Sequence, residues 1–338
     1  MRAMQFVGPG QPLLVPVEVP DPVAKPGWVV IDVEAAGMCH SDVGIVDGPG
    51  VGWLSHYPII LGHEVAGVVS SLGEGVTGFE IGDRVAVCLR QGRDEDYAVL
   101  GPDTHLGPNG GSAPGLHVDG GYAEKCMVRA SRLMHIPDDV SFEVAAVTTD
   151  AVVTAFAAVR TTADVRLGDT VAIIGLGGLG LNGARIAHLC GAKVYGVDTN
   201  EATFPKALEA GVRECFTDIS ALKALKPSVI IDFAGMGVTT DAAIKAAPPE
   251  CRVILVGLGS HQMTLATSPF VTKKVKLLSS LGGTREDLAL AFDQIASGNL
   301  LPAVQEFAFE DINGALEMLR EGKATGRLFT RPRAAASQ

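Results

Sequence analysis

The stretch Val171–Asp198, VAIIGLGGLGLNGARIAHLCGAKVYGVD, constrains this chain more than any other. Val171, Ala172, Ile173 and Ile174 read as a fully buried strand that ends on a run of glycines at 175, 177, 178 and 180. Apolar residues at helical spacing follow from Leu179 to Cys190, and a second strand, Lys193 to Val197, closes on Asp198. Strand, glycine turn, helix, strand and acid in this order are the parts of a dinucleotide-binding unit. Gly175 permits the tight turn, Gly177 lets the backbone approach a pyrophosphate, and Gly180 lets helix and strand pack closely. The helix start at Gly178 and Leu179 offers unpaired N–H groups and a positive dipole end to phosphates. A glycine turn alone is common between a strand and a helix. Here an acid eighteen residues past Gly180 agrees with the flanking strands and helix, and the unit is expected to bind a dinucleotide.

A chain of 338 residues has room for two domains with substantial cores, and 41 glycines favour a turn-rich α/β or β-rich architecture over a helical bundle. A formal charge of −11 without any long lysine or arginine run argues against nucleic acid. The first twenty residues are broken by prolines and have no long apolar core, so no signal peptide is expected, and no run approaches the ~20 apolar residues of a membrane span. The six cysteines (39, 88, 126, 190, 215, 251) show no CxxC spacing and read as reduced thiols of a cytoplasmic protein.

Residues 1–150 look β-rich. Leu13, Val15, Val17 and Val19 alternate with their neighbours, as do Val29, Ile31 and Val33, and Glu64–Leu72 and residues 82–87 are further strands. Many short strands with glycine turns suggest a small, partly open barrel. From 151 to about 286 strands and helices alternate, which predicts a doubly wound parallel sheet. Two residues of the first part can do chemistry. Alone, Cys39 reads as buried filler and His63 as a hydrogen-bonded side chain. Their company changes that, because Asp42 follows Cys39 by three residues, suited to hold a histidine in one tautomer, and Glu64 adjoins His63.

The run AAGMCHSD (35–42), then LGHEVAGVVSSLGEGV and GDRV, together with GLGGLG, resembles the zinc-containing medium-chain alcohol dehydrogenases over nearly the whole chain. The resemblance implies a GroES-like β-rich catalytic domain (1–150, completed by 287–338) and a Rossmann domain (151–286). It implies that Cys39 and His63 bind a catalytic zinc, that Ser41 passes the substrate proton, and that Asp42 stands behind the histidine. Glu64 falls where the family keeps a carboxylate beside the metal, and His40 and Arg327 fall at pyrophosphate positions. Thr154 and the Val256-Gly257-Leu258 turn match positions around the nicotinamide, and Asp198 matches the acid that accepts ribose hydroxyls and selects NAD.

The third zinc ligand of most relatives is a second cysteine, and the matching position here is Asp150. Carboxylate oxygen is a competent zinc ligand of the same charge as thiolate. The other reading is that Asp150 caps the helix that follows. A lobe that in most of these enzymes holds a structural zinc on four cysteines is replaced, over 88–119, by a Gly/Pro-rich run with Cys88 as its sole cysteine. The spacing of Cys88, His105 and His117 matches no known cluster, so the lobe is expected to hold no metal and to border the substrate cleft. A relay histidine known in some relatives would fall near Gly44 and is missing; His56 is a weak substitute. The expected activity is hydride transfer between a secondary alcohol, cyclic or CoA-linked forms included, and NAD, with one zinc per chain, small-molecule substrates and a homodimer or homotetramer. A zinc-free reductase of an activated C=C bond and a nucleotide-binding protein without turnover are the alternatives.

Overall fold

A computed structural model of the chain describes residues 1–10, 13–89 and 112–333. His105 and most of the lobe in which no metal is expected lie outside the described residues, as does the tail from 334. Strands in the first part are β1 (Arg2–Phe6), β2 (Val15–Glu18), β3 (Trp28–Met38), β4 (Ile59–Ile60), β5 (Glu64–Leu72), β6 (Arg84–Val87), β7 (Lys125–Arg129) and β8 (Leu133–His135). Then come β9 (Thr170–Ile174), β10 (Lys193–Val197), β11 (Val212–Phe216), β12 (Val229–Asp232), β13 (Arg252–Leu255), β14 (Lys276–Ser279), β15 (Val304–Phe307) and β16 (Arg327–Thr330).

The chain divides into two compact units, one of Met1–Asp150, Thr284–Ala296 and Val304–Gln338, the other of Ala151–Gly283 and Ser297–Ala303. In the first, one sheet runs β15-β16-β3-β5-β6-β8 with β7 also on β3, and a smaller one runs β2-β1-β4. Half-buried alternation was expected for Val29, Ile31 and Val33. Val29, Ile31 and Val33 are buried in the core with Asp32 and Glu34 half-buried between them, and Val30 is buried as well. The helices Arg285–Ala296 and Ile312–Arg320 belong to this unit; Leu288, Phe292 and Ile295 of the former are buried, as are Ile312, Ala315, Leu316 and Leu319 of the latter.

The register of three strands builds the chemistry. β3 and β5 are antiparallel from Val29 opposite Leu72 to Gly37 opposite Glu64, and β16 pairs with the end of β3 at Leu328 opposite Met38. Cys39 just past β3, His63 just before β5 and Arg327 at the start of β16 therefore meet at one end of the sheet. Gly37 is required there: a Cβ on it would lie 1.9 Å from Glu64 Oε2.

The second unit is a six-stranded parallel sheet in the order β11-β10-β9-β12-β13-β14. This is the order of a dinucleotide fold, with its topological switch between β9 and β12. The expected helix after the glycines occupies Gly178–Leu189, and further helices cover Phe204–Glu209 and Val238–Ala246. β11 escaped the sequence reading because, as an edge strand, it exposes Arg213 and Glu214 and has no apolar stripe. One helical run, Phe142–Thr162, passes for a membrane span by length and composition alone, but most of it is buried inside the protein, as in a core helix.

Candidate active site

In the first unit a sulfur, a nitrogen and two oxygens of Cys39, His63, Glu64 and Asp150 all lie within 4.8 Å of one another. Cys39 Sγ is 3.4 Å and His63 Nε2 3.7 Å from Asp150 Oδ2. Cys39, His63 and Glu64 are buried. Asp150 falls in a π-helical turn, Thr148–Val152, between the α-helical stretches Phe142–Val147 and Val153–Phe156 rather than at a helix start. Turns of that kind inside helices re-aim a side chain, and they recur at functional sites. Ser41 lies beside the cluster, its Oγ 3.5 Å from Cys39 Sγ.

His63 is oriented from behind. Its Nδ1 faces Asp42 Oδ1 at 3.4 Å, and neither atom has another partner. Nε2 is thereby turned toward Cys39 and Asp150. Burial opposes a charge on this imidazole, but the fully buried Asp42 carboxylate, with Asp150 and Cys39 adding to it, holds the pKa well above 6.5. Asp42 itself is kept below the usual carboxylate range despite its burial, by His63 and by the N–H of Cys39, which donates to Oδ2 at 3.0 Å.

Glu64 and Arg327 complete the cluster. Arg327 Nε donates to both Glu64 oxygens, at 2.9 and 3.1 Å, Nη2 donates to Glu64 as well, and Nη2 reaches Asp150 Oδ2 at 2.6 Å. Burial, with Asp150 adding to it and Arg327 opposing it, pushes the Glu64 carboxyl up to about 8. Burial would raise Asp150 too, yet His63 and Arg327 hold it well below the ordinary range. Two crowded carboxylates, a cysteine sulfur and a histidine nitrogen are a donor set that suits a divalent ion with mixed N, O and S preference, of which zinc is the commonest. Among the described residues this is the one group with such a composition.

His40, on the same helix as Ser41, is solvent-facing, with Nε2 2.9 Å from Leu319 O. His56 is exposed and bonded to Ser55 Oγ, and Gly44 has open space around it. His117 is buried, with Nδ1 accepting the N–H of Ala113 at 3.2 Å. Its tie to the main chain gives it a structural place.

In the second unit Gly175 has φ +84°, and a Cβ on Gly180 would lie 1.7 Å from Gly175 O, so neither position admits a side chain cheaply. Gly177, the residue before the helix, has nothing within 4 Å of where its Cβ would stand, and this leaves the backbone open to a ligand. Gly178 and Leu179 open the helix. Asp198 accepts the N–H of Leu176 at 2.6 Å on one oxygen and that of Asn200 at 2.8 Å on the other. A cavity of about 380 Å³, lined by Glu201, Phe204, Cys215, Phe216 and Asp218 among others, lies at the ends of β10 and β11. Thr154 is buried and Leu258 half-exposed.

Two functional features were missed by the sequence reading. The N–H groups of Val256 and Gly257 donate to Asp232 O at 3.0 and 3.1 Å. The Asp232 carboxylate takes the N–H groups of Ala234 and Gly235 and the hydroxyls of Thr239 and Thr240, at 2.7–3.1 Å. Asp232 thus fixes the loops that follow β12 and β13, and an acid ending an apolar strand was the available signal. The other is Tyr122, whose hydroxyl reaches Asp42 through the fold and leaves no mark in local sequence.

Residues 25–138 match the family model for the alcohol dehydrogenase GroES-like domain, and 178–297 match that for the zinc-binding dehydrogenases. An alcohol dehydrogenase of Geobacillus stearothermophilus is 32% identical over 92% of this chain and 94% of its own length. Acetophenone reductase from Geotrichum candidum, solved in complex with NAD, is 30% identical with a TM-score of 0.87, covering 98% of this chain and 96% of that one. A thermostable alcohol dehydrogenase from Pyrobaculum aerophilum, solved with cobalt and zinc bound, is 27% identical with a TM-score of 0.85 over 98% of this chain and 99% of that one.

Proposed function

The chain belongs to the zinc-type medium-chain alcohol dehydrogenase family, and from that premise we propose that this alcohol oxidoreductase interconverts a secondary alcohol and its ketone, using NAD and one zinc ion per chain. The observation that carries the reading is the convergence of Cys39, His63, Glu64 and Asp150 within 4.8 Å. Cys39, His63 and Asp150 would hold the ion, with Glu64 beside it. Zinc supplies Lewis acidity toward a substrate oxygen, and NAD supplies the hydride acceptor.

The chain's own residues do the rest. Ser41, whose Oγ is 3.5 Å from Cys39 Sγ, would take the hydroxyl proton of the alcohol and pass it toward solvent. Asp42 keeps His63 Nε2 directed into the cluster. Arg327 balances the charge of Glu64 and Asp150, and its Nη1, which neither of them engages, is the donor left for a cofactor phosphate, with His40 as a second. Gly175, Gly177, Gly178, Leu179 and Gly180 cradle the pyrophosphate. Asp198 takes the adenosine ribose, the neighbouring cavity takes the adenine, and Thr154 with Val256, Gly257 and Leu258 flanks the nicotinamide. The likeness to acetophenone reductase, named for a ketone, favours a secondary alcohol. The uncovered edge strand β14 offers a pairing surface for a homodimer or homotetramer.

Elemental analysis of purified protein tests the reading together with NAD reduction across a panel of alcohols. One zinc per chain and turnover of secondary alcohols are expected. Protein that takes up no zinc, or turns over with none, overturns it.

A further inference from the structure

We propose that Tyr122 is a positioning residue of the metal centre: its hydroxyl fixes the Asp42 carboxylate, which in turn aims His63 at the ligand cluster. The inference rests on the zinc reading above and adds a residue that the reading does not use. Tyr122 Oη donates to Asp42 Oδ2 at 2.8 Å, and both side chains are fully buried. Oδ2 also accepts the N–H of Cys39, so one carboxylate oxygen is held by a fixed backbone donor and by Tyr122. That leaves Oδ1 to face His63 Nδ1. A carboxylate rotating about its terminal torsion has a broad, soft energy well. Two donors on one oxygen stop that rotation, and the imidazole inherits the orientation.

The placement of Tyr122 is itself built in. Its N–H donates to Leu61 O at 3.0 Å, its carbonyl accepts the N–H of Met4 at 2.8 Å, and Gly121 N–H donates to Gly62 O at 2.7 Å. The ring then lies over Gly62, where a Cβ would come within 2.6 Å of ring carbon Cδ1. Gly62 also has φ +91°, a conformation that side chains resist. The glycine before His63 thus makes room for the tyrosine that acts on His63 through Asp42. Burial and the Asp42 carboxylate hold the phenol pKa well above 10, so the hydroxyl remains a donor.

Tyr122→Phe keeps the ring and its packing and deletes the one donor. Zinc affinity, measured by chelator competition on the intact chain, should fall about tenfold, the lower end of what outer partners of ligating histidines contribute. The d–d bands of the cobalt-substituted protein should shift, and kcat should fall more than the KM for NAD. In an Asp42→Ala background the same deletion should change zinc affinity less than twofold, since the tyrosine has lost the acceptor through which it acts. Wild-type zinc affinity and an unshifted cobalt spectrum in Tyr122→Phe would overturn the proposal. So would an equal loss in both backgrounds, which marks a general packing effect. If wild-type protein itself binds no zinc, it is the metal reading that fails.

Discussion

Arg327 and Glu64, 263 residues apart, form a buried ion pair in which the guanidinium Nε lies 2.9 and 3.1 Å from the two carboxylate oxygens. The same guanidinium reaches Asp150, so one cation spans two acids of the candidate metal cluster. Removing one member of a buried pair leaves the other uncompensated, which costs about 3–5 kcal/mol. Glu64 can escape part of that cost by taking a proton, since its carboxyl is already pushed up to about 8. Even so, Arg327→Met leaves both Glu64 and Asp150 without this cation, whereas Glu64→Gln leaves Arg327 paired with Asp150, so Arg327→Met should destabilise the zinc-free protein by about 3 kcal/mol and Glu64→Gln by about 1 kcal/mol. Urea denaturation with chelator present reads both; equal effects of the two variants would contradict the asymmetry.

His117 supplies a pH dependence of its own, outside the candidate metal cluster. Burial, with Arg132 nearby, lowers its pKa from 6.5 to about 4. Between those values the unfolded chain binds the extra proton, so stability rises with pH across the window, is complete above 6.5, and is lost as pH falls toward 4. The contribution is on the order of 1–3 kcal/mol. His117→Gln should flatten that part of the stability profile, measured from pH 4 to 7. An unchanged slope would assign the dependence to other groups.

Much of this was legible in the sequence because it depends on local pattern. The glycines from Gly175 to Gly180 announce a strand, turn and helix by backbone requirements that any reader of the chain can see. Cys39, Ser41, Asp42, His63 and Glu64 lie in two short runs flanking β3 and β5, and one antiparallel register brings those runs together. What was hidden depends on long-range register. Arg327 was expected at a cofactor phosphate, and its grip on Glu64 follows from β16 pairing with the end of β3. Tyr122 reaches Asp42 across 80 residues, with the chain folded back alongside Leu61 and Gly62. The missed strand β11 shows the limit of periodicity at an edge, where one flank needs no apolar side chains.

Cofactor choice should follow Asp198. Both of its oxygens are held by backbone N–H groups, of Leu176 and Asn200, so the carboxylate is fixed where a ribose hydroxyl would approach. Each oxygen keeps a lone pair for that hydroxyl, and a 2′-phosphate would meet a negative charge that cannot swing away. Thr199 and Asn200 bring no positive charge to offset it. NAD should be preferred over NADP by at least about tenfold in kcat/KM, equivalent to ~1.4 kcal/mol. Asp198→Ser should erase most of the preference, mainly through the KM for NADP. Comparable kcat/KM values for the two cofactors in the wild type would remove Asp198 from the cofactor site.

Asp150 separates a ligand from a structural acid. As a ligand it gives Zn²⁺ one thiolate, one carboxylate and one neutral imidazole, a set that is formally neutral overall. Asp150→Ala would leave Cys39 and His63 with Glu64, whose carboxylate is tied up by Arg327, so zinc and turnover should largely disappear. Asp150→Cys restores charge and a competent donor, although zinc–sulfur bonds are ~0.2 Å longer and require a small rearrangement. That variant should keep zinc and part of the activity. Asp150→Asn decides the matter. Asn fills the same space as Asp in the turn Thr148–Val152. Its amide, though, is a poor zinc ligand and a weaker partner for Arg327. If Asp150 is a ligand, Asn should lose zinc and Cys should hold it; if Asp150 only supports the helix, Asn should be nearly silent and Cys the harmful change. Zinc content by elemental analysis and kcat with a secondary alcohol, measured on the three variants, discriminate the two orders. An Asn variant with full zinc and wild-type kcat would end the assignment.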